Sequence, residues 1–318
     1  APDDSAIAFI QYDETPVDSI KRFEFYPTGL KIIEQKYPKT GSKNVTYKMG
    51  VVRLKGKKTT WVALPKKDIY IPDVKWAPYE DDLILSYQLQ SRDQKSLALW
   101  FYNLKSGQQK KILEEKDTAW VNIYHDMKFL KKEKQFFWRS EREGLARIYI
   151  YDAKNGSVLS SVDGGAGPIT KILAVDEEKR QVYYSAQLSP LEEKIYRKAF
   201  DDSGMGGAEL TPKKGSHRAN VSIKGNFLID SFSSYEQPTQ VHILSLNGEE
   251  LGSLGASGVK EGHPLYKYIG DMSKWETGTV KAKGGSALYY RLLKPKSFNK
   301  NKTYPLIHFR HGGIRKLN

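Results

Sequence analysis

One stretch of this 318-residue sequence has the residue types needed to stabilise a negatively charged oxygen during catalysis. The apolar run Tyr304–Phe309 is followed, after Arg310, by His311, Gly312 and Gly313. A strand that ends in this way presents backbone N–H groups that can stabilise an oxyanion. We therefore predict an oxyanion-hole region at these last three residues. The alternative is an ordinary turn at the end of a strand.

The nucleophile that such a region would serve is absent from the sequence. There is no G-x-S-x-G motif, and the chain has no cysteine. We therefore expect the 318 residues alone to hydrolyse no substrate. His217, His242 and His263 lack the spacing of metal ligands, so we predict no metal site and no cofactor, and we interpret these histidines as packing or surface residues.

The formal net charge is +14, and most of the positive charge comes from lysine. One interpretation is a polyanionic partner, and the other is a lysine-rich surface that blunts the edges of strands. The lysines occur singly or in pairs, without the basic stripe interleaved with aromatic residues that is typical of nucleic-acid-binding proteins. We favour the surface interpretation and expect no nucleic-acid partner.

Two further features of the composition concern location. No run of about 18 apolar residues exists, so we predict no membrane span. A chain without cysteine suits an oxidising compartment. We therefore expect a periplasmic or secreted bacterial protein.

The elements that would position the candidate residues are strands. Hydrophobic residues make up 39% of the chain and aromatic residues 12%, which favours a strand-rich fold. Four short runs rich in β-branched and aromatic residues are separated by charged or glycine-containing turns. These runs are Met127–Leu130, Gln135–Arg139, Ala146–Asp152 and Ser157–Val162. Four antiparallel strands joined by tight turns form one blade of a β-propeller.

Turn glycines repeat along the chain. Their separations are 51 residues (56 to 107), 49 residues (107 to 156) and 92 residues (156 to 248), the last covering two units. A period of about fifty residues indicates a repeated four-stranded blade, whereas the turns of a β-sandwich, the alternative, are more closely spaced. Further blade-like units are predicted at 73–113, 169–211 and 221–254.

These patterns predict an all-β fold, a partial β-propeller of four-stranded blades over residues 1–270. The segment 271–318 is predicted to be a junction and the start of an α/β-hydrolase domain, because an apolar strand before His-Gly-Gly is typical of that fold. A hairpin is expected from Glu276–Lys281 and Ser286–Leu293. Thr15–Thr46, with three prolines, is predicted to be an ordered but irregular insertion. Ala1–Tyr12 looks like a blade strand without its preceding strand, so we expect the natural protein to extend further at its N-terminus.

Five motifs, in order along the chain, resemble the dipeptidyl peptidase IV group of prolyl-oligopeptidase-like serine peptidases. Y-P-K-T-G-S-K-N-V-T-Y-K (37–48) is similar to that group's Y-P-K-A-G-x-x-N-P-T-V-K. R-D-Q-K (92–95) and W-V-N-I-Y-H-D (120–126) resemble segments of the group's later blades. W-R-S-E-R-E-G-L-A-R-I-Y (138–149) is similar to W-x-S-E-R-x-G-F-x-H-L-Y, and residues 292–306 resemble the entry into its catalytic domain. Each motif is weak alone, but their shared order makes the resemblance specific.

The resemblance implies a propeller that caps an α/β-hydrolase peptidase domain carrying a Ser, Asp, His triad. Short peptides would enter between the two domains and be cleaved from their N-termini after proline. The partners implied are short peptides, the protein's own C-terminal peptidase domain and a second copy in a homodimer. The family's Glu-Glu pair is expected before Ala1. Glu192-Glu193 is not that pair by position, and we interpret it as a solvated turn.

The resemblance also implies substrate-binding residues. Tyr124 and His125 fall where the family's propeller reaches into the substrate cavity; blade packing or a strand cap is the alternative. Glu141 and Arg142 are further candidates, although a structural ion pair that fixes a turn is the preferred interpretation.

Three positions depart from the family pattern. His311 stands where the family has its oxyanion tyrosine, Ile314 replaces the usual proline, and Leu145 replaces phenylalanine in the W-x-S-E-R motif. These departures bear on strict specificity for cleavage after proline.

We therefore hypothesise the substrate-gating propeller portion of a dipeptidyl peptidase IV-like serine exopeptidase. The alternative is a stand-alone, non-catalytic propeller that binds peptides or proteins. A polyanion-binding protein is the third hypothesis, and its binding would weaken steeply with salt.

Overall fold

Runs of β-branched and aromatic residues form strands over most of the chain. The computed structural model describes residues 1–65, 68–79, 83–165 and 167–309, and within those ranges the only helix is a short 3-10 helix at Tyr266–Asp271. The strands in chain order are β1 (Ala6–Asp13), β2 (Ser19–Tyr26), β3 (Gly29–Lys36), β4 (Thr46–Arg53), β5 (Thr59–Val62), β6 (Ile69–Tyr70), β7 (Val74–Ala77), β8 (Ile84–Ser91), β9 (Ser96–Asn103), β10 (Gln109–Lys116), β11 (Lys128–Phe129), β12 (Gln135–Ser140), β13 (Arg147–Asp152), β14 (Val158–Val162), β15 (Ile169–Asp176), β16 (Gln181–Ser189), β17 (Glu192–Ala199), β18 (Ala208–Glu209), β19 (Ser216–Ser222), β20 (Phe227–Ser233), β21 (Gln240–Ser245), β22 (Glu250–Ala256), β23 (Trp275–Lys281) and β24 (Ala287–Leu293). The predicted all-β fold is confirmed. No helix in the described ranges is long and apolar enough to cross a membrane.

The chain divides into two structural units. Unit 1 comprises Ala1–Phe137 and Ile150–Leu159, and unit 2 comprises Trp138–Tyr149 and the described residues from Ser160 onward. In unit 1, one sheet has the order β1-β4-β5, and a second has the order β10-β9-β8-β6 with β7 also paired to β8. Met49, Leu85 and Tyr87, all almost completely buried, belong to one apolar core that both sheets share.

The sheet β11-β12-β13-β14 contains the four strands predicted for one blade, in the predicted order. Its residues are divided between the two units. Within unit 1, Phe136 stacks on Tyr151 at a ring-centroid distance of 5.1 Å and lies edge-on to Phe101 at 5.8 Å. Such aromatic pairs stabilise beyond the apolar area that they bury, which explains the aromatic content of these strands.

Unit 2 contains the largest sheet, in the order β15-β16-β17-β19-β20-β21-β22, with β18 also paired to β17. The two blade-like segments predicted at 169–211 and 221–254 therefore belong to one sheet. A single parallel residue pair, Glu193 and Ser216, joins them, while every other pairing in this sheet is antiparallel. Tyr183, Ile195 and Leu228, each fully buried, form their shared core. The predicted hairpin also forms, as β23 and β24.

The repeated glycines occupy turns, as their spacing predicts. Gly56, Gly107, Gly156 and Gly248 all have positive φ, between +71° and +92°. A residue with a Cβ adopts this backbone conformation only at a cost, so glycine is favoured at each turn.

Two predictions of local structure are wrong. Thr15–Thr46 is not irregular, because β2 and β3 form a regular antiparallel hairpin across it. Its prolines flank the strands or lie in the turn between them, where they remove no ladder hydrogen bond. The strand predicted at Tyr304–Phe309 is also absent. Leu306, Ile307 and Phe309 are largely exposed, and an apolar strand of a parallel sheet needs neighbours that bury both faces.

Candidate functional site

Strand β8 is buried on both of its faces although one face is polar. Leu85, Tyr87 and Leu89 alternate with polar residues. These polar residues are Ser86, Gln88 and Gln90, each at most 2% exposed. Burying amides and hydroxyls is costly unless they form hydrogen bonds, so this face needs polar groups beside it.

The neighbouring strand β7 supplies part of that polar environment. Lys75 lies directly opposite Ser86, and the N–H of Gln88 donates to the carbonyl of Asp73. Directly opposed residues of an antiparallel pair share a face. We call Asp73, Lys75, Ser86, Gln88 and Gln90 the polar face. On it, the Lys75 Nζ lies 2.9 Å from a carboxylate oxygen of Asp73, and both side chains are partly buried.

The polar face holds the segment Trp120–Asp126, which has no regular secondary structure. The amide of Gln90 donates to the carbonyl of Val121 over 3.1 Å. Lys75 Nζ donates to the carbonyl of His125 over 2.5 Å. Side chains therefore satisfy two carbonyls that no strand ladder satisfies.

The candidate substrate-binding residues Tyr124 and His125 lie on this segment. Tyr124 is half-buried and His125 is exposed. Lys75 also lines a groove of about 390 Å³, together with Phe9, Tyr12 and Trp76. An apolar groove with a few polar groups at its edge is suited to an apolar peptide side chain and its backbone.

A second groove in unit 1, of about 570 Å³, lies beside the Y-P-K-T-G stretch and is lined by Pro38, Tyr70 and Arg92. One guanidinium nitrogen of Arg92 donates to the carbonyl of Lys39 over 3.2 Å, and its Cζ lies 5.5 Å from the centre of the Tyr70 ring. Both segments that line the groove come from motifs singled out in the sequence. Arg92 therefore has a positioning role in holding the Y-P-K-T-G stretch.

Glu141 and Arg142 lie in unit 2, in the exposed turn between β12 and β13. Arg142 Nε donates to the Ser140 hydroxyl over 3.0 Å, and its Cζ lies 4.4 Å above the centre of the Tyr149 ring. Burial, and to a smaller extent the nearby Glu143 carboxylate, raises the pKa of Tyr149 to about 12, so the ring stays neutral beneath the guanidinium. These contacts give Arg142 a structural role in the turn.

An ion pair does occur in this turn, between Arg147 and Glu143 at 3.0 Å. This ion pair joins the turn to the first residue of β13, and the ion pair predicted for Glu141 and Arg142 stays a prediction. Because Tyr124 and His125 belong to unit 1, the structure does not assemble the four candidate substrate-binding residues within one unit.

The remaining residues discussed in the sequence are Glu192-Glu193 and the predicted oxyanion-hole region. Glu192-Glu193 is not a solvated turn, because both residues lie in β17 and the Thr170 hydroxyl donates to Glu193. Glutamate is uncommon in strands, but here the pairing of β17 with β16 places both residues in a strand. His311, Gly312 and Gly313 lie outside the described residues, so the oxyanion-hole region stays a prediction.

Lys75, Asp73 and Gln90 were not predicted from the sequence. A signal for Gln90 was present, because polar residues at every second position of the otherwise apolar run Ile84–Ser91 predict a strand with one buried polar face. The groups that this face binds are backbone carbonyls of the loop Trp120–Asp126. That loop is more than 25 residues further along the chain and has no periodic pattern of its own.

The family model described as "Dipeptidyl peptidase IV (DPP IV) N-terminal region" matches residues 1–239. A "Probable dipeptidyl peptidase 4" of Aspergillus fumigatus is 22% identical, over 98% of this chain and 42% of the relative. An "Inactive dipeptidyl peptidase 10" of Rattus norvegicus is 23% identical, over 62% of this chain and 26% of that relative.

The fold is also similar to that of a solved crystal structure. The crystal structure of Porphyromonas gingivalis dipeptidyl peptidase 4 superimposes with a TM-score of 0.82 at 25% sequence identity, over 96% of this chain and 42% of that chain. The similarity therefore extends through almost all of the 318 residues. The chain spans less than half the length of either of these two dipeptidyl peptidases 4.

Proposed function

Because this chain belongs to the dipeptidyl peptidase IV N-terminal region family, we propose that it is the substrate-gating portion of a serine exopeptidase that cleaves short peptides from their N-termini, after proline. In this proposal a separate peptidase domain of the same protein supplies the nucleophile. The β-propeller restricts access to short peptides. The protein works in a periplasmic or secreted location, for which the absence of cysteine is the supporting observation.

The observation that carries the proposal is the family match over residues 1–239, which includes the segment Trp120–Asp126. That segment is fixed to the polar face at two carbonyls, and Lys75 connects it to a groove with aromatic walls. A fixed loop beside an apolar groove is what selective peptide binding requires, because little conformational entropy is then lost when the peptide binds.

The proposal predicts that the complete natural protein hydrolyses a chromogenic dipeptide with a free amino terminus and proline in the second position. N-acetylation of the same substrate removes the charged amine that an exopeptidase recognises, so we expect hydrolysis to fall by at least about a hundredfold, as for a lost buried charge interaction. The measurement is kcat/KM for both substrates. Equal rates for the two would indicate an endopeptidase, and no hydrolysis of either would contradict the catalytic proposal.

A stand-alone, non-catalytic module is the second candidate, and a relative named "Inactive dipeptidyl peptidase 10" favours it. The same pair of substrates separates the two candidates. A non-catalytic module would bind the peptide, as measured by calorimetry, and leave it intact. We rank this candidate second because most of the relatives carry names of dipeptidyl peptidases without that qualifier.

The hairpin of β2 and β3 supports a homodimer as part of the proposal. Phe23 lies opposite Ile32, and Phe25 lies opposite Leu30, so these four side chains form one apolar face. All four are more than half exposed, and Phe25 is 83% exposed. The other face is polar, with an ion pair of 2.7 Å between Arg22 and Glu24. An isolated two-stranded sheet is marginally stable in water, so a partner that covers the apolar face would stabilise it.

We expect Phe25→Asp to weaken self-association of the complete protein at least tenfold, because one buried aromatic side chain contributes about 1.4 kcal/mol or more. The matched control is Gln35→Asp, which adds the same charge on the polar face of the same hairpin. Sedimentation velocity over a concentration series measures both. Dimerisation that is unaffected by Phe25→Asp would exclude this face as the interface.

A further inference from the structure

Lys75 contacts both a buried carboxylate and a loop carbonyl. Its Nζ lies 2.9 Å from the Asp73 carboxylate and donates to the His125 carbonyl over 2.5 Å. The Asp73 side chain is 14% exposed and the Lys75 side chain 29% exposed, so neither charge is fully hydrated. The carboxylate therefore compensates the charge of the ammonium in an ion pair, while the ammonium donates a hydrogen bond to the loop.

Hydrogen bonds hold the loop at Val121 and at His125, and the candidate residues lie between or at these positions. At the first point the Val121 carbonyl accepts from Gln90, and the Val121 N–H donates to the Gln94 carbonyl over 2.8 Å. At the second point the carbonyl of His125 accepts from Lys75. Tyr124 immediately precedes this second point, so the direction of its backbone depends on the Lys75 contact.

Gln88 provides an internal comparison on the same face. It is 1% exposed, and neither atom of its amide has a hydrogen-bond partner in the described part of the chain. Gln88 therefore shares the strand, the face and the burial of Gln90 without holding the loop. A substitution at Gln88 tests burial alone, whereas a substitution at Lys75 tests the contact with the loop.

We propose that Lys75, oriented by Asp73, is a positioning residue that fixes Tyr124 and His125 and thereby sets the affinity for peptide substrates. This inference rests on the proposed function, because it assigns a role to that same site. The loop itself has no ladder to define its shape. The carbonyls of Val121 and His125 accept hydrogen bonds from the polar face, and Lys75 is the member of that face that also lines the groove.

The test uses the complete natural protein and the variants Lys75→Met, Lys75→Arg and Gln88→Met. Methionine keeps an unbranched apolar side chain at this position but removes the donor. We expect Lys75→Met to raise KM for a proline-containing peptide about fivefold with kcat unchanged, as for one lost hydrogen bond. Lys75→Arg, which keeps a donor, should recover most of the affinity. Gln88→Met should leave KM unchanged.

A second measurement separates the failure of this inference from the failure of the proposed function. Hydrogen exchange of the amides at 122–126 should become faster in Lys75→Met, with exchange in β9 unchanged, whether or not the protein is a peptidase. Unchanged exchange at 122–126 would overturn the positioning role. Equal losses in kcat/KM for Lys75→Met and Gln88→Met would also overturn it, because they would indicate a general structural effect. If neither substrate is hydrolysed by the unmodified protein, the exchange result alone decides.

Discussion

Replacing His217 by leucine is expected to lower the free energy of unfolding of unit 2 by about 3–5 kcal/mol, the range for removing one partner of a buried ion pair. His217 is 2% exposed and Asp230 is 3% exposed. The Nδ1 of His217 lies 2.7 Å from an oxygen of the Asp230 carboxylate. The variant leaves that carboxylate buried without its partner, and the cost of an unpaired buried charge exceeds that of most single substitutions.

The imidazole of His217 also contacts a loop. Its second ring nitrogen, Nε2, lies 2.9 Å from the carbonyl of Lys213. The Phe232 ring packs against the imidazole at a centroid distance of 4.8 Å. His217 therefore connects the loop at Lys213 to β20, the strand that carries Asp230 and Phe232.

Two further variants test whether the burial of the pair causes this loss of stability. His242 also pairs with a carboxylate, Glu250, at 3.0 Å, but that carboxylate is about half exposed. His242→Leu should therefore cost less than about 1 kcal/mol, as for a surface ion pair. The double variant His217→Leu with Asp230→Leu removes both charges and should recover part of the loss. Urea denaturation of the three variants measures these free energies. Equal costs at His217 and His242 would contradict the buried-pair account.

The turns show how far the sequence predicts the fold. Asn103 and Asp152 each accept from the backbone N–H groups two and three residues later, through a side-chain oxygen. In each turn the N–H of the glycine four residues on, Gly107 or Gly156, donates back to the carbonyl of that residue. Because short-range hydrogen bonding and glycine's tolerance of positive φ determine these turns, the repeat could be predicted from residue types and spacing alone.

The parts that the sequence did not predict depend on contacts between distant residues. The hairpin of β2 and β3 has a period-two pattern, but its prolines suggested irregular structure until the structure placed them outside the ladder. The candidate site also depends on a contact between residues that are distant in the sequence. Tyr124 and His125 could be proposed from the family resemblance, whereas Lys75 could not, because its role depends on a carbonyl fifty residues away. No local propensity encodes such a contact.

Gly156 and Gly107 have equivalent local sequences but different surroundings, and this difference gives the second prediction. Gly156→Ala is expected to cost about 3 kcal/mol or more, because backbone strain at positive φ and a steric clash add. A Cβ at Gly156 would lie 2.2 Å from the carbonyl oxygen of Ile112, a backbone atom that cannot move without disturbing β10. At Gly107, where φ is +71°, a Cβ would meet no atom within 4 Å.

Gly107→Ala is therefore the matched control, with the strain of positive φ and no clash, and its expected cost is about 1 kcal/mol. Urea denaturation of the two variants under identical conditions measures the difference, which isolates the contact between Gly156 and Ile112 from the conformational preference that both glycines share. A cost at Gly156 no larger than that at Gly107 would mean that the turn can move away from Ile112. In that case the contact between the Asp152–Gly156 turn and β10 would not be a fixed point of unit 1. A difference of about 2 kcal/mol would show that one glycine of the repeat is required for packing between sheets, while the other is required only for its own turn.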